Sequence, residues 1–350
     1  MEKKEKPPKL NKNEIPFMGL GTSRIVDVEN IVYEAIKNGV RLIDTAYKYK
    51  NEKDIGKGIK KALDKGLCKR EDLIIMGKVW INYRNDPERA CRETLDNLKL
   101  DYIDIYMDHW PSGKDYRDTD IVKKKAKELK ERGNDIGIDY PIKDKFEMVS
   151  IYDFWPKMES LVEKGLARSI GVSNYNIQCL CNLLSFCKIK PIANEIEFHL
   201  FYIQKNLKEF CEKQDIAIIS YYPMPLGNGA KMLIKDNPNN PEYDIRNDTY
   251  IKELAEKKTK EKEKEVTIGQ IILNWHIKVG AIPIPSTSQK DIYDEKDKDK
   301  LLKSRTAENL DAINVNLSDE EVDKLSHRFK QRSLKKMCGC ERFFGINVLG

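Results

Sequence analysis

No run in the chain approaches the ~20 consecutive apolar residues that a membrane-spanning helix needs, so no membrane partner is expected. The charged start, 1–9, carries Pro7 and Pro8 and has no apolar core, which argues against a secretory signal. No Gly-x-Gly-x-x-Gly follows an early strand-like segment, and this weakens the case for an open dinucleotide-binding sheet. Zinc-type spacing is also missing. Cys338 and Cys340 lie close together, as do Cys179, Cys181 and Cys187, but neither set has a second ligand pair, so no metal is expected. The eight cysteines read as reduced thiols of a cytoplasmic protein, not as a disulfide framework. The excess of basic residues is small, 63 against 57, and is spread along the chain, so nucleic acid is not an expected partner either. No segment repeats another, and no linker divides the 350 residues.

What is present is an alternation. Short β-prone runs at 17–22, 41–46, 73–79, 102–109, 167–173, 192–198, 216–222 and 281–285 are each followed by helical material. Val28, Ile31, Val32, Ala35 and Ile36 fall on one helical face closed by Gly39. Further helices are predicted over 51–65, 86–98, 152–164, 176–186, 204–213, 248–263, 267–278, 305–312 and 318–329. Strands alternating with helical patterns of about 10–15 residues predict βαβ units, and eight of them favour closure into an α/β (β/α)8 TIM barrel. The barrel domain is expected over 10–330, with 1–9 as a charged tail and 331–350 as a tail or substrate loop. A hairpin over 10–17, turning at Asn13 and Glu14, is expected to cap one end. Three long polar stretches, 111–150 with a short helix at 121–132, 223–246 and 289–304, read as mouth loops.

The C-terminal strand ends of such a barrel meet at one mouth. Asp44, followed by Tyr47 and Tyr49, ends one strand; Lys78 ends the next; His109 and Trp110 end the one after. A tyrosine hydroxyl, with a pKa near ~10, is a poor donor at neutral pH unless a cation stabilises its phenolate. A lysine supplies that cation, a carboxylate holds the lysine, and an imidazole can position a carbonyl oxygen. The set suits protonation of an oxygen that becomes an alkoxide as hydride arrives. Spacing alone leaves Tyr47 and Tyr49 equivalent. Read singly, these side chains would be caps or surface groups; His199, His276 and His327 are taken as structural.

With these motifs the chain resembles the aldo-keto reductases, closest in pattern to the aldose reductase group. The likeness runs from roughly Phe17 to Leu325. It rests on Met18-Gly-Leu-Gly-Thr22, on Ile43-Asp-Thr-Ala-Tyr-Lys-Tyr-Lys-Asn-Glu52 and on Gly77-Lys-Val-Trp80. Leu98-Lys-Leu-Asp-Tyr-Ile-Asp-Ile-Tyr106, His109-Trp-Pro111, Gly165-Leu-Ala-Arg-Ser-Ile-Gly-Val-Ser-Asn174 and Ser318-Asp-Glu-Glu321 carry it further. The resemblance implies a catalytic tetrad of Asp44, Tyr49, Lys78 and His109, and it alone selects Tyr49. It also implies extended NADPH (NADP+), with NADH as the alternative cofactor. Gly21, Thr22, Asp44, Ser173, Asn174, Glu195 and Tyr221 would line the nicotinamide end. Ser286, Thr287, Arg305, Glu308 and Asn309 would line the adenosine end. Tyr49, His109 and Trp110 would meet the substrate.

Three departures bear on function. Asn194-Glu195 stands where the family has Asn-Gln, so a carboxylate is expected beside the nicotinamide, where it would favour the oxidised, positively charged ring. If Glu195 instead turned away to pair with a lysine, the change would be neutral. Ser286 replaces a lysine that grips the adenosine 2′-phosphate, and Ser23 replaces a pocket tryptophan. The expected function is NADPH-dependent reduction of aldehydes, aldoses among them, or simple ketones by a monomer. A cofactor-binding regulatory or scaffold protein without turnover is the alternative.

Overall fold

The computed structural model describes residues 6–112, 149–224, 245–286 and 298–329, with the side chains of 298–304 left aside. Eight parallel strands succeed one another in chain order: β1 Leu20–Gly21, β2 Leu42–Asp44, β3 Ile74–Val79, β4 Ile103–Asp108, β5 Ala167–Ser173, β6 Ala193–Glu197, β7 Ala217–Tyr221 and β8 Ala281–Pro283. The β8 end of the sheet then returns to the first strand. Gly19 N–H donates to the Pro283 carbonyl at 3.0 Å and Gly21 N–H to the Pro285 carbonyl at 3.1 Å. The close approach explains the second of these glycines, because a Cβ on Gly21 would lie 2.7 Å from the Ile284 carbonyl oxygen. The expected barrel is therefore present.

The connecting helices are α1 Val28–Lys37, α2 Glu52–Asp64, α3 Pro87–Leu98, α4 Ile151–Glu163, α5 Ile177–Leu184, α6 Lys205–Lys213, α7 Thr249–Lys262, α8 Ile268–Lys278, α9 Lys298–Asp311 and α10 Asp319–Arg328. Local sequence sets several starts. Pro87 occupies the first turn of α3 behind the cap Asp86, whose carboxylate accepts from Arg89 N–H. Ser318 and Glu321 form a reciprocal capping box on α10. The core has two layers. Ile31, Val32, Ile55, Tyr106, Phe154 and Trp275 belong to the shell between sheet and helices. Leu42, Met76, Ile105, Met107, Ile219 and Ile284 fill the barrel interior, joined from below by Leu10 and Ile15.

The hairpin expected over 10–17 is a correction. That stretch holds a single 3-10 turn, Lys12–Glu14, and no strand. Asn11 accepts from Asn13 N–H at 2.9 Å, and Glu14 accepts from Asn11 N–H at 2.7 Å, so a capping box supplies the bonds a strand pair would have made. Leu10 and Ile15 can then both turn inward as a plug. Most of the mouth-loop readings (113–148, 225–244 and 289–297), the helix at 121–132 and the 331–350 tail lie outside the described residues. The loop expected over 289–304 is corrected at its end, because 298–304 already belong to α9, which starts seven residues before the helix expected at 305.

Candidate active site

β2, β3 and β4 end side by side, with Lys78 in register with Met107 and Asp44 with Met76. The strand ends bring the four expected side chains together. Lys78 Nζ donates to the Asp44 carboxylate, to the Thr45 carbonyl at 3.3 Å and to the Tyr49 hydroxyl at 3.4 Å. The His109 ring lies edge-on to Tyr49, with 5.9 Å between centroids, and edge-on to Trp80 at 5.1 Å. Lys78 is fully buried. Tyr47, which spacing could not separate from Tyr49, points elsewhere: its hydroxyl pairs with that of Tyr83, 3.2 Å away.

Glu195 completes this cluster, and its partner is the least expected feature. Its Oε2 lies 3.1 Å from Lys78 Nζ, so one ammonium faces two carboxyl groups at the bottom of the mouth. The lysine to which Glu195 turns is the site's own. Backbone bonds from the neighbouring strand fix its place: Asn174 N–H and Ser173 Oγ both donate to the Glu195 carbonyl, each at 2.9 Å.

Burial sets the protonation of the cluster. It pushes the Glu195 carboxyl up to about 8; the Asp44 charge adds to this and Lys78 opposes it. Burial also raises the Asp44 carboxyl, against the pull of Lys78. Burial works against the Lys78 charge, but Asp44 and Glu195 outweigh it and hold the ammonium above its ordinary range. Tyr49 is raised above the usual phenol value by burial and the two carboxyl groups, although Lys78 pulls it down. Its phenol therefore keeps its proton. His109 is lowered well below the ordinary imidazole value by burial and by Lys78 and Lys48, and is neutral.

A cradle of amide and hydroxyl groups adjoins the cluster. Asn174 Nδ2 donates to the His109 carbonyl at 3.0 Å and to Ser173 Oγ at 3.1 Å, and Tyr221 donates its hydroxyl proton to Asn174 Oδ1 at 2.7 Å. Thr22 Oγ1 donates to the Asp44 carbonyl at 2.7 Å, and Gly21 packs against β8. Trp110 is buried and stacks on His109, with 6.5 Å between centroids. At the other end, Arg305, Glu308 and Asn309 share one face of α9, and Glu308 accepts from Thr267 Oγ1 at 2.7 Å. Ser286 is exposed beyond β8, and Thr287 lies outside the described residues.

One group escaped the sequence reading. Asp108 accepts from Arg84 and, at 2.7 Å, from the Tyr175 hydroxyl, while Arg84 also donates to the Trp110 carbonyl at 3.0 Å. This buried trio braces the loop that carries His109 and Trp110. Its members come from three distant stretches, and no local signal links them.

A profile of the Aldo/keto reductase family matches residues 18–327. The chain belongs to the aldo/keto reductase family. Among its relatives in that family, "Aldose reductase B" of Dictyostelium discoideum is 33% identical over 317 residues, covering 89% of this chain and 88% of that one. The "NADH-dependent D-xylose reductase" of Candida parapsilosis is 31% identical over 323 residues, 91% of this chain and 90% of that one. Among solved folds, a Bombyx mori aldo-keto reductase "in complex with NADP" superposes with a TM-score of 0.76 at 28% identity, covering 99% of this chain and all, 100%, of that one. The family resemblance and the barrel expected from the sequence both hold.

Proposed function

We propose that this aldo/keto reductase reduces aldehydes, aldoses among them, or simple ketones to alcohols with NAD(P)H, and that Tyr49 donates the proton. The observation that carries the assignment is the 3.4 Å contact between the Tyr49 hydroxyl and a lysine already held by Asp44. The bound nicotinamide supplies the hydride. The residues fit it: Ser173 Oγ and Asn174 Oδ1 lie side by side and each keeps a lone pair for the amide N–H of a carboxamide. Tyr221 is half-buried at the same edge, an aromatic residue of the kind on which a nicotinamide ring would stack. His109 Nδ1 is a buried polar atom with no hydrogen-bond partner among the described residues, which suits a group that meets a ligand.

The chain's own residues divide the work. Neutral His109 orients the carbonyl oxygen without competing for its proton. Tyr49 keeps its proton until negative charge develops on that oxygen. The Lys78 ammonium then stabilises the phenolate left behind, and Asp44 keeps Lys78 charged and in place. NADPH is preferred over NADH through Arg305, though less strongly than with a lysine at position 286. Residues 10–330 act as one catalytic domain and a monomer in the cytoplasm. In support, the six described cysteines are free, and among described residues no helix is long and apolar enough to cross a membrane. A scaffold without turnover is not favoured, since the relatives above are named as reductases.

The test is a panel of aldehydes, pentoses and hexoses with NADPH or NADH, followed by loss of nicotinamide absorbance. Turnover on some member is expected. Complete inactivity across the panel, in protein that binds the cofactor, would overturn the assignment.

A further inference from the structure

A single lysine with two buried carboxyl groups is more than the reduction requires. Asp44 alone would hold Lys78. Glu195 nonetheless reaches the same ammonium from the opposite side of the barrel interior, at 3.1 Å, and its Oε2 makes no aligned hydrogen bond among the described residues. The charged and titratable groups facing it are few. β2 presents Asp44, the loop after it Tyr49, β3 Lys78 and the end of β4 neutral His109. β5 presents only Ser173, and β7 places Ile219 in register. Two residues along β6, Glu197 pairs with His199 at 3.2 Å. One cation and two acids therefore form a closed set, and the charge balances best when one acid keeps its proton. Lys78 donates an aligned hydrogen bond to Asp44 and none to Glu195 Oε2, so the proton belongs on Glu195.

We propose that Glu195 is the site's proton store: acting through Lys78, it replaces the proton that Tyr49 gives to the substrate. The inference rests on the reduction assigned above. Each step balances. Hydride from the nicotinamide forms the new C–H bond, and the Tyr49 proton forms the new O–H bond. The Tyr49 phenolate takes a proton from Lys78, and Lys78 takes one from the Glu195 carboxylic acid. The site ends with Tyr49 and Lys78 restored and Glu195 ionised, its charge offsetting the positive charge created on the cofactor. Water reprotonates Glu195 after release. Its upward shift to about 8 leaves the store loaded at neutral pH. Glu195 is a positioning and proton-holding residue, since it acts on substrate only through Lys78 and Tyr49.

The decisive measurement is proton release on cofactor binding, read by calorimetry in buffers of different ionisation enthalpy at about pH 7. NADP+ and NADPH carry the same 2′-phosphate, so their difference isolates the ring charge. Wild type is expected to release about one proton more with NADP+ than with NADPH, and Glu195→Gln none. Equal release by wild type with both cofactors overturns the proposal, as does a difference that survives in Glu195→Gln. Should that variant fold poorly, wild type alone answers by infrared spectroscopy. A buried carboxylic acid band must disappear as pH rises through about 8, and its absence at neutral pH overturns the proposal. None of these readouts requires turnover, so an inactive panel would overturn the assigned reaction without touching the proton count.

Discussion

Asn174 donates to the His109 carbonyl across 3.0 Å and so ties the end of β5 to the end of β4. The bond joins the amide and hydroxyl cradle to the imidazole proposed to orient the substrate carbonyl. The residue also sits at φ +66°, in the left-handed region that asparagine tolerates better than most side chains. Asn174→Ala removes the bond to Tyr221 and strands the His109 carbonyl, at about 1–3 kcal/mol for an unsatisfied buried group. It also leaves a Cβ at a left-handed backbone that alanine tolerates less well than asparagine does. Asn174→Gly loses the same bonds without this strain. Urea unfolding should therefore find glycine less destabilising than alanine by about 1 kcal/mol. Both should raise KM for the carbonyl substrate. Equal stability of the two variants would refute the backbone argument.

Tyr49 and Tyr47 should separate cleanly. Tyr49→Phe removes the proposed proton donor, and kcat should fall by about 10²–10⁴-fold while NADPH affinity stays within a few-fold. Tyr47 instead sits in a separate chain of bonds: its hydroxyl lies 3.2 Å from that of Tyr83, which donates to Glu93 at 3.0 Å. Tyr47→Phe should lower stability by about 1 kcal/mol and leave kcat nearly unchanged. Steady-state kinetics and thermal melts on both variants check the pair; the opposite order would reassign the donor.

The difference between those tyrosines shows where the sequence stopped being legible. Strand and helix alternation was readable because each element buries one patterned face, and that pattern is local. The donor was not readable from spacing, since both tyrosines occupy one short turn, Tyr47–Tyr49, and only the family pattern chose between them. The Glu195 contact lay deeper still. β6 pairs with β5 and β7, while Lys78 belongs to β3, so the contact exists only once the sheet curls and both side chains turn inward. Asp108, Arg84 and Tyr175 were hidden for the same reason. At 10–17 the failure was different: Asn11 and Glu14 already spelled a capping box, but Asn13 and Glu14 read as the turn of a hairpin.

Arg305 should decide cofactor choice. It is half-buried on the α9 face that carries Glu308 and Asn309, and Ser286 supplies no charge where the family places a lysine. Arg305→Ala should weaken NADPH by on the order of tenfold through loss of charge-assisted bonds to the 2′-phosphate. NADH, which lacks that phosphate, should bind almost as before. Fluorescence titration with both cofactors measures this; matching losses would move Arg305 away from the phosphate.

Glu195 should also make stability depend on pH in a defined direction. Its folded value, about 8, lies above the ordinary carboxyl value of 4.5 that it regains on unfolding. Between those values the folded state holds more protons than the unfolded one, so stability falls as pH rises through the window. The contribution is fully present below about 4.5 and lost above about 8. Glu195→Gln removes it. Subtracting the two stability–pH curves from chemical denaturation should leave a slope confined to that range. A flat difference would mean that the carboxyl titrates alike in both states.

The strongest stability effect should come from Lys78. Its ammonium is the shared partner of Asp44 and Glu195, and all three are buried at or below 2% exposure. Lys78→Met keeps the volume and removes the charge, leaving two acids without a cation. Breaking a buried pair in this way costs about 3–5 kcal/mol, because the remaining carboxylate must be held uncompensated or protonated. Adding Glu195→Gln removes one acid and gives Asp44 an amide donor, so the double variant should be more stable than Lys78→Met alone. In wild type, by contrast, Glu195→Gln should have a small effect near neutral pH, where the carboxyl is already uncharged. The cycle should therefore be non-additive by about 1–3 kcal/mol, as expected for residues in one network. Lys78→Met should also regain stability as pH falls and its stranded acids take up protons. Urea unfolding of the four proteins at two pH values tests both statements. Strict additivity with no pH dependence would show that Lys78 does not neutralise the pair.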